Sequence, residues 1–388
     1  MDNNSFNFKL NTNVLFGSNK LLEVADFIKD QEFKKVGIII DFGVEKSTSW
    51  QEFKKKLSKV SKISIYFINQ KMEPTYQYLE EIRNKFTTDL DCLLGVGGGS
   101  TMDVAKAVSV LATNKKPAIS YRGFDLLEKQ GIPLILIPST AGSGSEITPY
   151  AVFIDESEKR KFGINSAKYL PILTVIDPDL TISCPPSVTI ASGMDALIHT
   201  LESFAAKKHS DISRMFSKAA FPLLFNNIEN AVKKPMDLGT RSNMSLGAFY
   251  AGIALFNSAA GPAGVMSYPL GTLFNLTHGL AGAVFIYKIV EFNVKHGYKD
   301  YGQFYDLISD KYKKNLKTKS NKNKMFLECF KRLCQNLKIP EKLNSFGMKK
   351  TDIDLFMGNL KLLWGSVEQN PVLITDKDIR KILGSMVD

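Results

Sequence analysis

Four histidines are spread over this 388-residue chain, and two of them, His199 and His278, stand where metal chemistry could occur. In Gly193-Met194-Asp195-Ala196-Leu197-Ile198-His199 a carboxylate and an imidazole fall four residues apart, on one face of a helix. That is ligand geometry, although the same spacing also makes ordinary helix-surface pairs. His278 ends the run Tyr268-Pro269-Leu270-Gly271 to Thr277-His278-Gly279 at an apparent helix start. His209 and His296 lie in lysine-rich stretches, Lys207-Lys208-His209 and Lys295-His296, and are expected at the surface. Only His199 and His278 sit in motif-like surroundings, so a metal site has few other histidines to draw on.

A second group of residues suits phosphate. Leu93-Leu94-Gly95-Val96-Gly97-Gly98-Gly99-Ser100 is an apolar strand that runs into glycines, and Ser100-Thr101-Met102-Asp103 then opens a helix with a capping-type pair. Glycine lets a backbone approach a diphosphate, and free amides at a helix start favour its charge. The usual dinucleotide fingerprint needs a third glycine where Ser100 stands, and the Walker pattern is absent. Asp41, ending Val36-Gly37-Ile38-Ile39-Ile40, could bond ribose hydroxyls and repel a 2′-phosphate, favouring NAD over NADP; a turn-forming aspartate is the competing reading. Pro138-Ser139-Thr140-Ala141-Gly142-Ser143-Gly144-Ser145-Glu146 follows another apolar strand and offers hydroxyls and amides to a nucleotide.

These residues need elements to position them. Short β-rich runs at Val36 to Ile40, Ile63 to Ile68, Cys92 to Val96, Leu134 to Ile137, Ala151 to Ile154 and Leu173 to Ile176 alternate with helical patterns. That alternation predicts a parallel, doubly wound α/β sheet. After Pro185 strand signals vanish, and Ile212 to Val232 and Met325 to Leu337 carry helical spacing. Asp177-Pro178 and Cys184-Pro185-Pro186 interrupt regular structure, so the expected division is an α/β dinucleotide domain at 1–180 and a helical metal and substrate domain at 181–388. A ligand belongs in the cleft between them, at the carboxyl ends of the strands.

Composition narrows the classes. The chain is 44% hydrophobic and 23% charged, ordinary for a globular protein. No apolar run approaches the roughly 20 residues that span a bilayer, and Met1 to Leu10 lacks a signal-peptide segment, so a cytoplasmic location and no membrane partner are expected. Cys92, Cys184, Cys329 and Cys334 are scattered, which suggests neither disulfides nor a zinc cluster. The net charge of +11 invites a nucleic-acid reading. Seven lysines, however, fall between Lys311 and Lys324 with almost no aromatic or arginine residues among them, which reads as a solvated loop and no nucleic-acid partner.

The motifs, in order, resemble the iron-containing (group III) alcohol dehydrogenases over nearly the whole chain: Gly97 to Ser100 with Asp103 and Lys106, Pro138 to Glu146, Asp177-Pro178-Asp179-Leu180, Gly193 to His199, and Leu270-Gly271 to His278-Gly279. The resemblance implies a Rossmann-like amino-terminal domain, a helical carboxyl-terminal domain, and a homo-oligomer such as a dimer. It implies NAD(P) in the cleft and a divalent metal, iron or zinc, held mostly by the helical domain. Carried over by position, Gly97, Gly98, Gly99 and Ser100 hold the pyrophosphate, with Asp103 and Ser139 in the same cofactor-binding motifs. Thr140 and Ser143 contact the nucleotide, Lys161 lies near the ribose, and Asp41 matches the ribose acid. Asp195, His199 and His278 match three of four metal ligands. The fourth histidine is replaced by Gly264, and the family's proton-relaying histidine corresponds to Tyr268.

Three states of this site follow: a metal on three ligands with water, a metal-free enzyme using Tyr268, or a dead site. The function implied is reversible hydride transfer between a nicotinamide and a small alcohol or aldehyde, with Tyr268 and His278 as catalytic residues. Arg122 and the basic surface would suit an anionic or sugar-derived substrate, although Arg122 equally suits a surface ion pair. The rivals are a dehydroquinate synthase-like cyclase, which would regenerate its nicotinamide, and a non-catalytic nucleotide-binding protein.

Overall fold

The structure is a computed structural model that describes residues 6–68, 73–86, 89–317 and 321–387. Its first half is built on a six-stranded parallel sheet. The strands are β1 (Asn13–Phe16), β2 (Lys35–Asp41), β3 (Lys62–Ile68), β4 (Cys92–Gly97), β6 (Leu134–Pro138) and β9 (Leu173–Ile176), in the order β1-β9-β6-β4-β2-β3. Every residue of β4, β6 and β9 is buried. Helices cover both faces of such a sheet, so these strands carry continuous apolar runs with no polar alternation.

The order places a switch point at β2 and β4. From β2 the chain goes outward to β3 and returns to β4 on the opposite side. The carboxyl ends of β2 and β4 therefore flank a crevice, where doubly wound sheets bind dinucleotides. The helix Gly99–Leu111 leaves β4 immediately. Gly95 makes this possible, because a Cβ there would stand 2.7 Å from the Ala105 Cβ of that helix.

The remaining strands form a small sheet outside the parallel one: β5 (Gly123–Phe124), β7 (Val152–Asp155) and β8 (Arg160–Asn165), in the order β5-β8-β7. This corrects the expectation for Ala151 to Ile154. Only four residues separate β7 from β8, and the two pair antiparallel; so short a link cannot return the chain to a parallel position.

From Pro186 onward the described residues form helices and no strands. The helix Pro186–Ala205 lies at the centre of the second core, where Leu197, Leu201 and Phe204 meet Phe221, Phe225 and Phe304. The predicted stretch Ile212 to Val232 is two helices, Asp211–Phe225 and Ile228–Lys233. At the break Asn226 Nδ2 donates to Leu307 O at 3.0 Å, and Asn227 Nδ2 donates to Leu223 O at 3.0 Å. The lysine-rich stretch is not wholly loop either. Lys311 and Lys313 lie in the helix Asp310–Lys313, and Lys322 opens the helix Lys322–Asn336, the structure's version of Met325 to Leu337. Lys319 falls outside the described residues. All four cysteines are free, and no helix among the described residues is long and apolar enough to cross a membrane.

Candidate active site

The crevice end of the site is built by close backbone approach. A Cβ on Gly97 would stand 2.9 Å from the Asp41 Cβ, and one on Gly99 would stand 2.8 Å from Ser143 Oγ. Asp41, Ser100, Thr101 and Tyr78 line one recess there. Asp41 Oδ1 accepts from Gly43 N at 2.7 Å, so the side chain also makes the turn that competed with its ribose reading. Ser139 is buried and its amide donates to Gly97 O at 2.8 Å, which fixes the second loop beside the first. Thr140 Cγ2 lies 3.5 Å from a Cβ placed on Gly98.

Asp103 sits differently from expectation. The helix is capped by Gly98 with no side-chain bond, not by a Ser100 to Asp103 pair. The Asp103 carboxylate turns inward, accepting from Ser145 Oγ at 2.5 Å and Val152 N at 3.0 Å, with Lys106 Nζ at 3.7 Å. It braces the second loop and β7 against the helix. Burial pushes the neighbouring Lys106 ammonium down to about 8 and the Glu146 carboxyl up to about 7.

The second loop leads to the metal-type residues. Gly142 packs on Ser192, whose Cα would lie 2.7 Å from an added Cβ, and Ser192 stands three residues before Asp195 in the helix Pro186–Ala205. Asp195 and His199 face the start of the helix His278–Lys295. Gly279 allows the approach: its Cβ would meet Ala191 O at 2.2 Å and the Asp195 Cβ at 3.2 Å. As a result His199 Nε2 lies 3.6 Å and His278 Nε2 3.5 Å from one atom, Asp195 Oδ1.

These residues fit a divalent cation. One ligand atom from each lies within 4.8 Å of the others, and Asp195 Oδ1 is buried with no hydrogen-bond partner. Metal bonds of about 2.0–2.2 Å in a tetrahedron hold ligand atoms roughly 3.3–3.6 Å apart, the separation seen between Asp195 and the two rings. His278 Nδ1 lies 2.6 Å from Ser267 Oγ, which in turn donates to Gly264 O at 2.5 Å. That chain leaves the proton on Nδ1 and a lone pair on Nε2, as a ligand histidine requires. Burial holds His278 below its ordinary value, favouring the neutral ring.

Three further residues complete the surroundings. Glu73, from the loop after β3, forms an ion pair with Lys161 and accepts from His278 N at 2.9 Å, capping that helix from the other half of the molecule. Burial opposes its charge, but Lys161 and His278 outweigh that and hold its carboxyl below the usual range. Lys161 is accordingly placed with Glu73 and 5.4 Å from the centre of the Tyr268 ring. Tyr268 stands 5.3 Å from the His278 ring, and burial, with Glu73 and Asp195 nearby, pushes its phenol above 10.

On the helix face of Asp195 and His199, one turn further, Glu202 accepts from Gly261 N at 2.9 Å, Ala263 N at 2.6 Å and Gly264 N at 3.2 Å. Its carboxylate caps the helix Pro262–Phe274. Burial pushes the Glu202 carboxyl up to about 7 against those amides. Glu202 was findable by spacing, seven residues after Asp195, whereas nothing local marks Glu73 or Ser267. Arg122 is a surface partner of Asp155 at 3.1 Å and Glu158 at 2.8 Å, which explains it without a substrate.

Comparison with known proteins bears on the assignment. A model described as iron-containing alcohol dehydrogenase matches residues 11–178, and one described as the Fe-containing alcohol dehydrogenase family, C-terminal, matches residues 189–387. Alcohol dehydrogenase 4 of Schizosaccharomyces pombe is 29% identical over 376 residues, covering 96% of this chain and 86% of that protein. An NAD-dependent methanol dehydrogenase of Bacillus methanolicus is 28% identical, covering 97% of this chain and 98% of its own. The solved structure of an alcohol dehydrogenase from Oenococcus oeni superposes with a TM-score of 0.90 at 25% identity, covering 98% of this chain and all of that one.

Proposed function

The chain belongs to the iron-containing alcohol dehydrogenase family, and from that premise we propose that it is a nicotinamide-dependent oxidoreductase interconverting a small alcohol and its aldehyde or ketone. In the oxidative direction the alcohol carbon gives a hydride to the nicotinamide, and the hydroxyl gives up its proton. The observation that carries this reading is the convergence of His199 and His278 on Asp195 Oδ1 at 3.6 and 3.5 Å, one turn from the loop that packs on the glycine turn.

The roles follow from placement. The amides of Gly97, Gly98, Gly99 and Ser100 cradle the diphosphate at a helix start, flanked by Ser139, Thr140 and Ser143. Asp41 accepts from ribose hydroxyls and disfavours a 2′-phosphate, so NAD is preferred over NADP. A divalent cation, iron or zinc, held by Asp195, His199 and His278, would supply a Lewis acid for the substrate oxygen. Tyr268 remains a protonated phenol at neutral pH and acts as a hydrogen-bond donor beside that oxygen, not as a base. Lys161, held by Glu73, places its Nζ over the face of that ring.

The test is the nicotinamide absorbance of the purified protein, assayed with NADH and NADPH against aldehydes, ketones and sugars after metal reconstitution. Stoichiometric oxidation of NADH with one class of carbonyl supports the reading. Turnover with no net change in absorbance would assign a cyclase, and NADH binding without turnover of any compound would assign a non-catalytic protein.

A further inference from the structure

The three residues of the acid and imidazole cluster are not held alike. Asp195 and His199 are rooted in the middle of one long helix, with side chains 8% and 9% exposed. His278 is the first residue of its helix, and its side chain is 30% exposed. A helix leaves its first amides without an internal acceptor, and the N-cap residue Thr277 offers them no side-chain bond. The acceptor comes from 205 residues away: Glu73 Oε1 takes the amide of His278 itself at 2.9 Å. Ser267 Oγ stands 2.6 Å from Nδ1 of the same residue. His278 is thus anchored at its backbone by the first half of the chain and at its ring by the second, and the two anchors together set the direction of Nε2.

The other oxygen of Glu73 is engaged by Lys161, whose side chain is 1% exposed. Lys161 reaches that place past Gly271, where a Cβ would stand 3.0 Å from Nζ. A buried ammonium needs a carboxylate, and among the described residues Glu73 is the one within ion-pair distance. The pair therefore fixes the carboxylate on the His278 amide. We propose that Glu73, although outside the ligand cluster, is a positioning residue for the metal, so that the first half of the chain sets part of the affinity for an ion held by the second. This rests on the reading that Asp195, His199 and His278 hold a divalent cation, and deepens it. Loss of a partner that orients a ligand lowers metal affinity by about 10- to 100-fold.

The test uses the full-length protein without dinucleotide and Co²⁺ as the probe, with affinity read by competition against a chelator and the site by the visible absorption of the bound ion. Two double variants leave no buried charge unpaired. Lys161→Met with Glu73→Gln keeps a carbonyl oxygen for the His278 amide, and Lys161→Met with Glu73→Ala removes it. The glutamine variant is expected to bind Co²⁺ about 10- to 100-fold tighter than the alanine variant. It should also keep the absorption spectrum of the unaltered protein, whereas the alanine variant should not. Hydrogen exchange at the first turn of the helix His278–Lys295 in metal-free protein gives a second reading, which holds even where a double variant does not fold: exchange should be faster in Glu73→Ala than in the unaltered protein. Equal Co²⁺ affinities of the two double variants, or unchanged exchange in Glu73→Ala, overturn the proposal and leave the metal site standing. No binding of Co²⁺ by the unaltered protein overturns both.

Discussion

At the scale of single residues, the account depends on what each side chain lacks as much as on what it touches. Asp195 Oδ1 is buried without a hydrogen-bond partner, an arrangement that costs about 1–3 kcal/mol unless a cation completes it. Asp195→Asn should therefore lower metal content from near stoichiometric to a small fraction and raise the melting temperature of metal-free protein, both measured after reconstitution and chelation. Tyr268→Phe should reduce turnover by about 10²-fold or more with little change in NADH affinity. Because burial raises the phenol, the wild-type rate should show no loss from its ionisation up to about pH 10. A rate that falls between pH 8 and 9 and recovers in the phenylalanine variant would contradict that. The Asp195 and His199 pair and the glycine turn were legible in the sequence because their spacing is local, whereas His278, 79 residues beyond His199, was joined to the pair by the family resemblance. Glu73 was not legible, since its partners Lys161 and His278 are distant in the chain and no pattern marks a residue that caps another half's helix. Asp103 was misread for the converse reason: a polar residue near a helix start suggests a cap, but its bonds go to Ser145 and Val152.

At the scale of elements, helix ends and close helix contacts hold the site in shape. Gly279→Ala would drive a Cβ to 2.2 Å from Ala191 O, a backbone atom that cannot rotate away. The helices Pro186–Ala205 and His278–Lys295 must then separate, at a cost of about 1–3 kcal/mol. Urea denaturation should record that loss, and metal affinity should fall with it, because the separation moves His278 from Asp195. The second loop contributes a pH dependence. Glu146 is raised from 4.5 to about 7 by burial, so between those values the folded chain keeps a proton that the unfolded chain releases. Its contribution is fully present below pH 4.5 and is lost as pH rises through 7, by roughly 3 kcal/mol. Glu146→Gln should flatten the fall in stability across that window, and an unchanged slope would remove this assignment. Buried parallel strands such as Val36 to Ile40 and Leu134 to Ile137 were readable as apolar runs. β8 was not, since Arg160, Lys161 and Asn165 disguise it, and β1 is a four-residue edge strand. The break at Asn226 and Asn227 depends on a carbonyl 81 residues away in sequence, at Leu307.

At the scale of the whole molecule, the helical core and the cores on the two faces of the sheet are joined in part through the site. Gly144 and Gly252 bring the second loop and the helix Leu238–Phe256 into backbone contact, with an added Cβ only 2.7 Å from the Gly252 Cα. Glu73, three residues before the helix Tyr76–Arg83, accepts from the first residue of the helix His278–Lys295. The change from strands to helices near Pro185 was visible in the sequence as short apolar runs giving way to helical spacing of apolar positions. How the halves face each other was not, because packing across a cleft leaves no periodic trace. The central claim is that one divalent ion sits between Asp195, His199 and His278 while the glycine turn holds a dinucleotide. A crystal structure of the reconstituted protein with NADH, with data collected at the metal absorption edge, tests both parts at once. The account predicts a single strong anomalous peak bound by those three side chains and a diphosphate on the amides of Gly97 to Ser100. An ion bound elsewhere, or a dinucleotide away from that turn, would contradict it.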